Sequence, residues 1–424
     1  MIKTKVCIVG AGPAGAATAL RLSYLGIPSV LVDKAVFPRD KVCGDAISGK
    51  VTTLLNRLDP AILKRFCAIP AAGADIWGIR FVAPNYKSLD VPFYTTYDRR
   101  FESAPGYVSK RMDFDHFLIQ EVKRRPDIDL HEGVSIQRYE KTESGFRVFD
   151  KSGQFAVEAH LLIVADGAHS AFARHYAGLD KDPKHHAAAV RAYYKNIEGL
   201  HPDNFLELHY IQDIQPGYFW IFPLPNGYAN VGVGMRSDYI GKYKVKLKSM
   251  LTDIIQTHPL FKERFKNATL ESKIQGFPLP LGSKKRRLSG DHFMLVGDAG
   301  HLVDPFSGEG IGNGMYSGFI AAELAEKCFE QNDFSANFMR AYDERVARVL
   351  GKEMQLSYAL QRLLRYPWLS NKVANFVVNN EHLIHTISKM YTDFHLRKQL
   401  LNPLFWVRLM LKKKGVPQKK AGQT

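Results

Sequence analysis

Cysteine is scarce: Cys7, Cys43, Cys67 and Cys328 are the only four in 424 residues. They lie far apart with no Cys-x-x-Cys pair, which excludes a disulfide framework and a cysteine zinc site. No stretch approaches the ~20 uninterrupted apolar residues that a membrane-spanning helix requires. The opening Met1-Ile2-Lys3-Thr4-Lys5 runs into an apolar Val6-Cys7-Ile8-Val9 too short for a signal peptide, and no small-residue cleavage site follows. A cytoplasmic protein is expected. Internal repeats and low-complexity linkers are also missing. Acidic residues are outnumbered, 42 against 58 Lys and Arg, which leaves a formal charge of +16 and calls for an anionic partner. That charge is not interleaved with a nucleic-acid motif, so nucleic acid is not the expected partner. Much of it sits in Lys284-Lys285-Arg286-Arg287 and in the segment after Tyr391, where "LLNPLFWVRLMLKKKG" mixes bulky apolar residues with lysines. Such a segment suits a helix lying on the inner face of an anionic membrane, and equally a core helix with a solvated basic tail.

What the chain does have is a nucleotide pattern at its amino end, "KVCIVGAGPAGAATALRLSYLGIPSVLVDKA". Val6 to Val9 read as a buried strand, Gly10, Gly12 and Gly15 form Gly-x-Gly-x-x-Gly, and an amphipathic helix runs to about Gly26. A second strand, Ser29 to Val32, ends in Asp33. Gly10 permits the tight turn, Gly12 lets a pyrophosphate approach the backbone, and Gly15 lets the helix press on the strand. The helix start at Pro13 and Ala14 faces the phosphates, while Asp33, followed by Lys34, is placed to accept hydrogen bonds from a ribose. This pattern alone does not separate NAD from FAD.

Two distant stretches do. In "LLIVADGAHSAFARH" a strand, Leu161 to Val164, delivers Asp166-Gly167; in "FMLVGDAGHLVDPFSGEGIGNGMYSG" the strand Phe293 to Val296 delivers Gly297-Asp298, and glycines lead to a helix from about Ile311. With the first motif they resemble the FAD-containing oxidoreductases of the p-hydroxybenzoate hydroxylase-like superfamily, over roughly residues 1 to 330. The resemblance implies FAD, with Asp298 on its ribityl chain and the amides of Gly310, Ile311, Gly312 and Asn313 at the pyrimidine end of the ring. Asp166 would lie near the pyrophosphate or cap a turn. "YVSKRMDFDHFLIQEV" resembles the same superfamily's Arg-x-x-Phe-Asp-x-x-Leu segment. Its Arg111 would neutralise phosphate or brace the flavin, or else pair with a carboxylate on the surface.

Two further motifs narrow the resemblance to the geranylgeranyl reductase branch. "KVCGDAIS" carries Cys43-Gly44, and "PGYFWIFP" matches the Tyr-x-Trp-x-Phe-Pro part of a longer motif whose first proline falls here on Gln215. Alternation along a strand puts Tyr218, Trp220 and Phe222 on one face. In the resembled branch that aromatic wall lines an apolar cavity for a lipid tail; a plain core stripe is the bland alternative. Cys43, with Tyr218 and Trp220, is then a catalytic candidate as proton donor, gate or redox partner, or it merely packs as a small hydrophobe. His185-His186 has no acid or cysteine spaced for coordination, so no metal is expected.

The implied architecture combines α/β and α+β: a Rossmann-like FAD-binding domain from residues 1–75, 100–180 and 285–330, an inserted antiparallel substrate sheet from 76–99 and 187–284, and a helical C-terminal region, 331–424, with a basic tail. The implied activity is reduction of carbon–carbon double bonds in an isoprenoid or related lipid, fed by NAD(P)H or ferredoxin. The alternatives are an NAD(P)H-dependent FAD monooxygenase or halogenase-like enzyme on an aromatic or carrier-bound metabolite, and an FAD-binding electron carrier.

Overall fold

The computed structural model describes residues 1–69, 73–93 and 104–377. Its first sheet runs in the order Ser289–Gly290, Phe293–Leu295, Ala156–Val164, Ile2–Val9, Ser29–Asp33, Ile128–Glu132. From Phe293–Leu295 to Ile128–Glu132 the neighbours are all parallel. The three strands expected to carry motifs therefore lie side by side with the strand ending at Asp33, and their carboxyl ends share one edge. In an open parallel sheet that edge is where ligands bind. The strands Gly145–Asp150 and Ile136–Thr142 extend the sheet antiparallel from Ala156–Val164.

Small residues set how closely this layer is packed. Gly10 has a φ of +104°, and a Cβ on it would meet Ala165 O at 2.4 Å. The glycine of the first motif is thus pressed on the turn of the second. A Cβ on Gly15 would sit 1.8 Å from Gly10 O, so the helix Pro13–Tyr24 rests directly on the strand end. That helix also packs on Ile311–Gln331: Cβ atoms on Gly314 and Gly318 would come within 3.2 Å of Ala14 Cβ and 2.4 Å of Thr18 Oγ1. Met339, Tyr342, Leu350 and Met354, from the helices that follow, enter the same core.

The second sheet is mostly antiparallel: Thr269–Leu270, His186–Lys195, Tyr228–Arg236, Gly217–Pro223, Leu206–His209, Gly78–Val82, Ser88–Pro92, with Gln275–Pro280 also on His186–Lys195. Leu206–His209 and Gly78–Val82 pair parallel. Its two faces differ. Phe219, Ile221, Val231 and Val233 turn to a core with Leu251, Ile254 and Phe261 from the helices behind. Tyr218, Trp220 and Phe222, alternate residues of the same strand, turn the other way, towards the first sheet. A three-stranded sheet, Ala46–Ile47, Gly106–Val108 and Ala74–Ile76, stands between the two.

No helix among the described residues is long and apolar enough to cross a membrane. The segment after Tyr391, read above as a membrane-surface candidate, lies outside the described residues.

Candidate active site

One cavity of about 750 Å³ runs from the carboxyl edge of the first sheet to the aromatic face of the second. Its first arm is bordered by Gly10, Gly12, Pro13, Ala14, Asp33, Lys34 and Asp166, its middle by Asp298, Gly310 and Ile311, and its second arm by Cys43, Gly44, Tyr218 and Trp220; Arg111 lines it too. Gly15, Gly312 and Asn313, also expected at the cofactor, do not line it. Gly15 is spent on helix packing. A Cβ on Gly312 would strike Glu309 Oε1 at 2.3 Å, and Asn313 is buried, accepting from Lys50 Nζ at 2.7 Å and donating to Leu302 O at 3.0 Å. These two hold the start of the Ile311–Gln331 helix in shape.

The first arm fits a dinucleotide. A Cβ on Gly12 would have only the Arg39 guanidinium nearby, at 3.7 Å, so the backbone there is open to a bulky anion. Asp33 accepts from Ala11 N at 2.7 Å and from Ala35 N at 2.8 Å, which fixes the carboxylate at the strand end with lone pairs to spare. Asp166 Oδ1 is buried without a partner, and burial pushes this carboxyl up to about 6. Asp298 pairs with Lys41 Nζ at 3.4 Å.

Arg111 does pair with a carboxylate, but in the interior. Its guanidinium makes a two-point contact with Asp115 at 2.7 and 2.6 Å, and Arg39 reaches the same carboxylate at 2.6 Å. Burial alone would lower the guanidinium, yet the Asp115 carboxylate outweighs it and holds the group above its usual range, with Cys43 Sγ adjacent. Cys43 is half-buried beside this fixed cation. Burial of Cys7 in the first strand pushes its thiol up to about 12.

The aromatic wall is a row of tilted rings. Tyr218 and Trp220 stand 6.0 Å apart at 64°, Trp220 and Phe222 6.1 Å apart at 35°. Glycines on the facing strand make room: Trp220 pairs with Gly232, where a Cβ would lie 2.2 Å from the indole Cζ2. Both polar tips are committed to protein. Tyr218 donates to Ser307 O at 2.7 Å, and Trp220 Nε1 donates to Asn230 Oδ1 at 2.9 Å. Burial, then Asp304 and Cys43, push the Tyr218 hydroxyl up, so it stays a donor. Beyond the wall, Leu206, Leu208 and Ile79 continue the apolar lining.

Sequence reasoning missed the polar cluster under the Cys43-Gly44 turn. Asp45 is fully buried, and its carboxylate accepts from Tyr193 at 2.7 Å and Asn230 at 2.8 Å. Asn230 also donates to Cys43 O at 2.8 Å. The sequence signal was Asp45 itself, an acid directly after Cys43-Gly44. His185 and His186 bond to Ser283 Oγ and Asp182 O, and no metal-holding cluster exists among the described residues.

Fold and cavity together define a flavin-dependent oxidoreductase, and similarity to known proteins agrees. The FAD binding domain family matches residues 3–350. A digeranylgeranylglycerophospholipid reductase of Methanococcus vannielii is 31% identical over 369 residues, covering 84% of this chain and 87% of that one. A menaquinone reductase of Mycobacterium tuberculosis is 27% identical over 376 residues, 85% and 84% of the two chains. The crystal structure of a geranylgeranyl bacteriochlorophyll reductase-like protein from Thermoplasma acidophilum shares the fold, with a TM-score of 0.78 at 23% identity over 95% of this chain and 99% of that one. The chain belongs to the geranylgeranyl reductase family of FAD-dependent oxidoreductases.

Proposed function

We propose that this enzyme reduces carbon–carbon double bonds in an isoprenoid chain of a lipid. The observation that carries the reading is the continuity of the cavity: its dinucleotide arm opens at Cys43 and Gly44 into an arm walled by Tyr218, Trp220, Leu206 and Leu208. The relatives named digeranylgeranylglycerophospholipid reductase support the substrate class. In this reading residues 1–75, 100–180 and 285–330 hold FAD and 76–99 and 187–284 hold the lipid; of the C-terminal region, 331–424, the described part to Val377 is helical and the remainder, like 70–72 and 94–103, lies outside the described residues. The basic apolar segment after Tyr391 is assigned entry of the lipid from an anionic membrane, on its sequence alone.

Reduced FAD, when bound, supplies a hydride. Gly10, Gly12 and the helix start at Pro13 and Ala14 would receive its pyrophosphate, Asp33 and Lys34 its ribose side, Asp298 its ribityl chain, and Gly310 and Ile311 its ring. An isolated alkene is a poor hydride acceptor, so the site must fix the bond and supply a proton together. The aromatic wall fixes the chain and excludes water, since each buried methylene contributes ~0.8 kcal/mol. Cys43 holds the proton at Sγ or orders the water that does, with Arg111 beside it. The electron source is NAD(P)H or a ferredoxin. Mixing dithionite-reduced holoenzyme with geranylgeranyl diphosphate under argon tests the reading: flavin absorbance should return at a rate that rises with the diphosphate. Return only on admitting oxygen, at a rate raised by aromatic or carrier-bound substrates, would replace it with a monooxygenase.

A further inference from the structure

Asp45 is a fully buried carboxylate at the junction of the two arms, and its surroundings are built rather than incidental. Its backbone takes a φ of +66°, a left-handed conformation that a non-glycine residue adopts only when held there. Asp45 O accepts from Ser109 N at 2.9 Å, and Oδ1 faces Arg111 N at 3.3 Å. Oδ2 accepts from Tyr193 and Asn230 together. Asn230 is shared four ways: it binds Asp45, the carbonyl of Cys43 and the indole N–H of Trp220, while its own strand places it opposite Phe222. A Cβ on Gly44 would be 3.2 Å from the Phe222 ring and 3.8 Å from Trp220 Nε1, so the turn lies against the wall that the network holds.

We propose that Asp45 is a positioning residue of the reaction: through Asn230 and Tyr193 its carboxylate locks Cys43 and Trp220 into one rigid unit that fixes the lipid double bond. The unit joins a turn on the cofactor side to a ring on the lipid side, two elements that no other side chain among the described residues connects by hydrogen bonds to both. The charged and titratable groups around Asp45 are Arg111 from the helix Arg111–Lys123, Lys110 just before it with its ammonium over the Tyr193 ring, Arg191 and Tyr193 from His186–Lys195, Asp40 paired with Arg191, and Cys43 on its own turn. Burial lifts the Asp45 carboxyl to about 6, against the hydrogen bonds of Tyr193 and Asn230 and the charges of Arg191 and Arg111. Tyr193, pushed up by burial and then by Asp45, remains a donor throughout. The ionised form accepts both bonds best, so the locked state forms as pH rises through that value.

This inference rests on the double-bond reading, and its test separates the two. The first readout is the shift of flavin absorbance when geranylgeranyl diphosphate is added to oxidised holoenzyme, which reports the ligand's seating without turnover. The second is anaerobic turnover from pH 5 to 8. In the wild type both should rise through about pH 6. Asp45→Asn, which keeps one oxygen to accept both bonds, should bind FAD, lower kcat roughly tenfold with KM little changed, and lose the pH step. Asn230→Leu, which removes the link but not the titrating group, should lower kcat and flatten the step, since Asn230 carries the Asp45 contact to Cys43 and Trp220. Asp45→Asn combined with Trp220→Phe should be no slower than the worse single variant. Multiplying effects, or a pH step that survives in Asp45→Asn, would overturn the proposal. An absorbance step without turnover in the wild type would uphold the positioning and sink the double-bond reading.

Discussion

Phe219 and Trp220 are neighbours on one strand with opposite fates, and replacing each with alanine separates a lipid wall from a core stripe. Phe219 is fully buried with its ring 4.5 Å from that of Phe261, behind the sheet and away from the cavity. Phe219→Ala should cost ~3–5 kcal/mol of folding stability, the usual loss for a large ring in a core. Activity per folded, FAD-loaded molecule should be kept. Trp220 lines the cavity, and its loss enlarges a space that a ligand or water already enters. Its stability cost should be smaller, ~1–2 kcal/mol, mainly from leaving Asn230 Oδ1 to water. Its ligand cost should be larger. If one indole face covers ~60–80 Å² of lipid at ~25 cal/mol per Å², about 1.5–2 kcal/mol of transition-state binding disappears, a drop of roughly 10- to 30-fold in kcat/KM. Thermal unfolding of the holoenzymes, flavin content and kcat/KM on geranylgeranyl diphosphate measure all three. Equal stability losses with equal activity per folded molecule would refute the reasoning and leave the aromatics as ordinary core.

Other outcomes follow from the same geometry. Gly12→Ala should fold normally yet bind FAD about tenfold more weakly, whereas Gly15→Ala, whose Cβ would meet Gly10 O at 1.8 Å, should lower both stability and flavin content; the flavin-to-protein absorbance ratio and a melting curve distinguish them. Asp45, lifted by burial to about 6 from an ordinary 3.8, binds its proton more tightly when folded. Its stabilising share is therefore complete below pH ~4 and lost as pH rises through about 6, on the order of 3 kcal/mol. Asp45→Asn lacks this loss, so its stability relative to wild type should improve between pH 4 and 8 in urea titrations. Arg111→Met should cost ~3–5 kcal/mol by leaving Asp115 buried with only Arg39, and Asp115→Leu added to it should recover most of that; chemical denaturation of single and double variants reads the difference.

Much of the fold was legible because its chemistry is local. A glycine triplet, a strand and a terminal acid are contiguous in sequence, and each of the three motifs announces its own turn. That the three converge follows from parallel neighbours sharing an edge. The Tyr218-x-Trp220-x-Phe222 alternation showed a common face but could not tell cavity from core. That distinction depends on what stands opposite, and Gly232 and Gly234 carry no signal until the register is known. The Asp45 network was harder to see because Asp45, Tyr193 and Asn230 come from three distant segments, each ordinary alone. Arg111 was read as a phosphate or flavin partner or a surface pair, since a sequence does not say whether a partner four residues away is buried. Gly312 and Asn313 sit within the expected motif, yet their contacts turn inward, a helix phase that spacing from Gly310 leaves undetermined.

The most direct test of the central claim is the mass of the product. Purified holoenzyme with dithionite-reduced FAD and geranylgeranyl diphosphate, or a prenylated phospholipid, is incubated under argon and the lipid recovered for mass spectrometry. The account predicts a gain of two hydrogens per reduced double bond, diminished in Trp220→Ala and Cys43→Ala that retain FAD. An unchanged lipid under argon, together with the gain of one oxygen by an aromatic or carrier-bound substrate when air and NADPH are admitted, would contradict it.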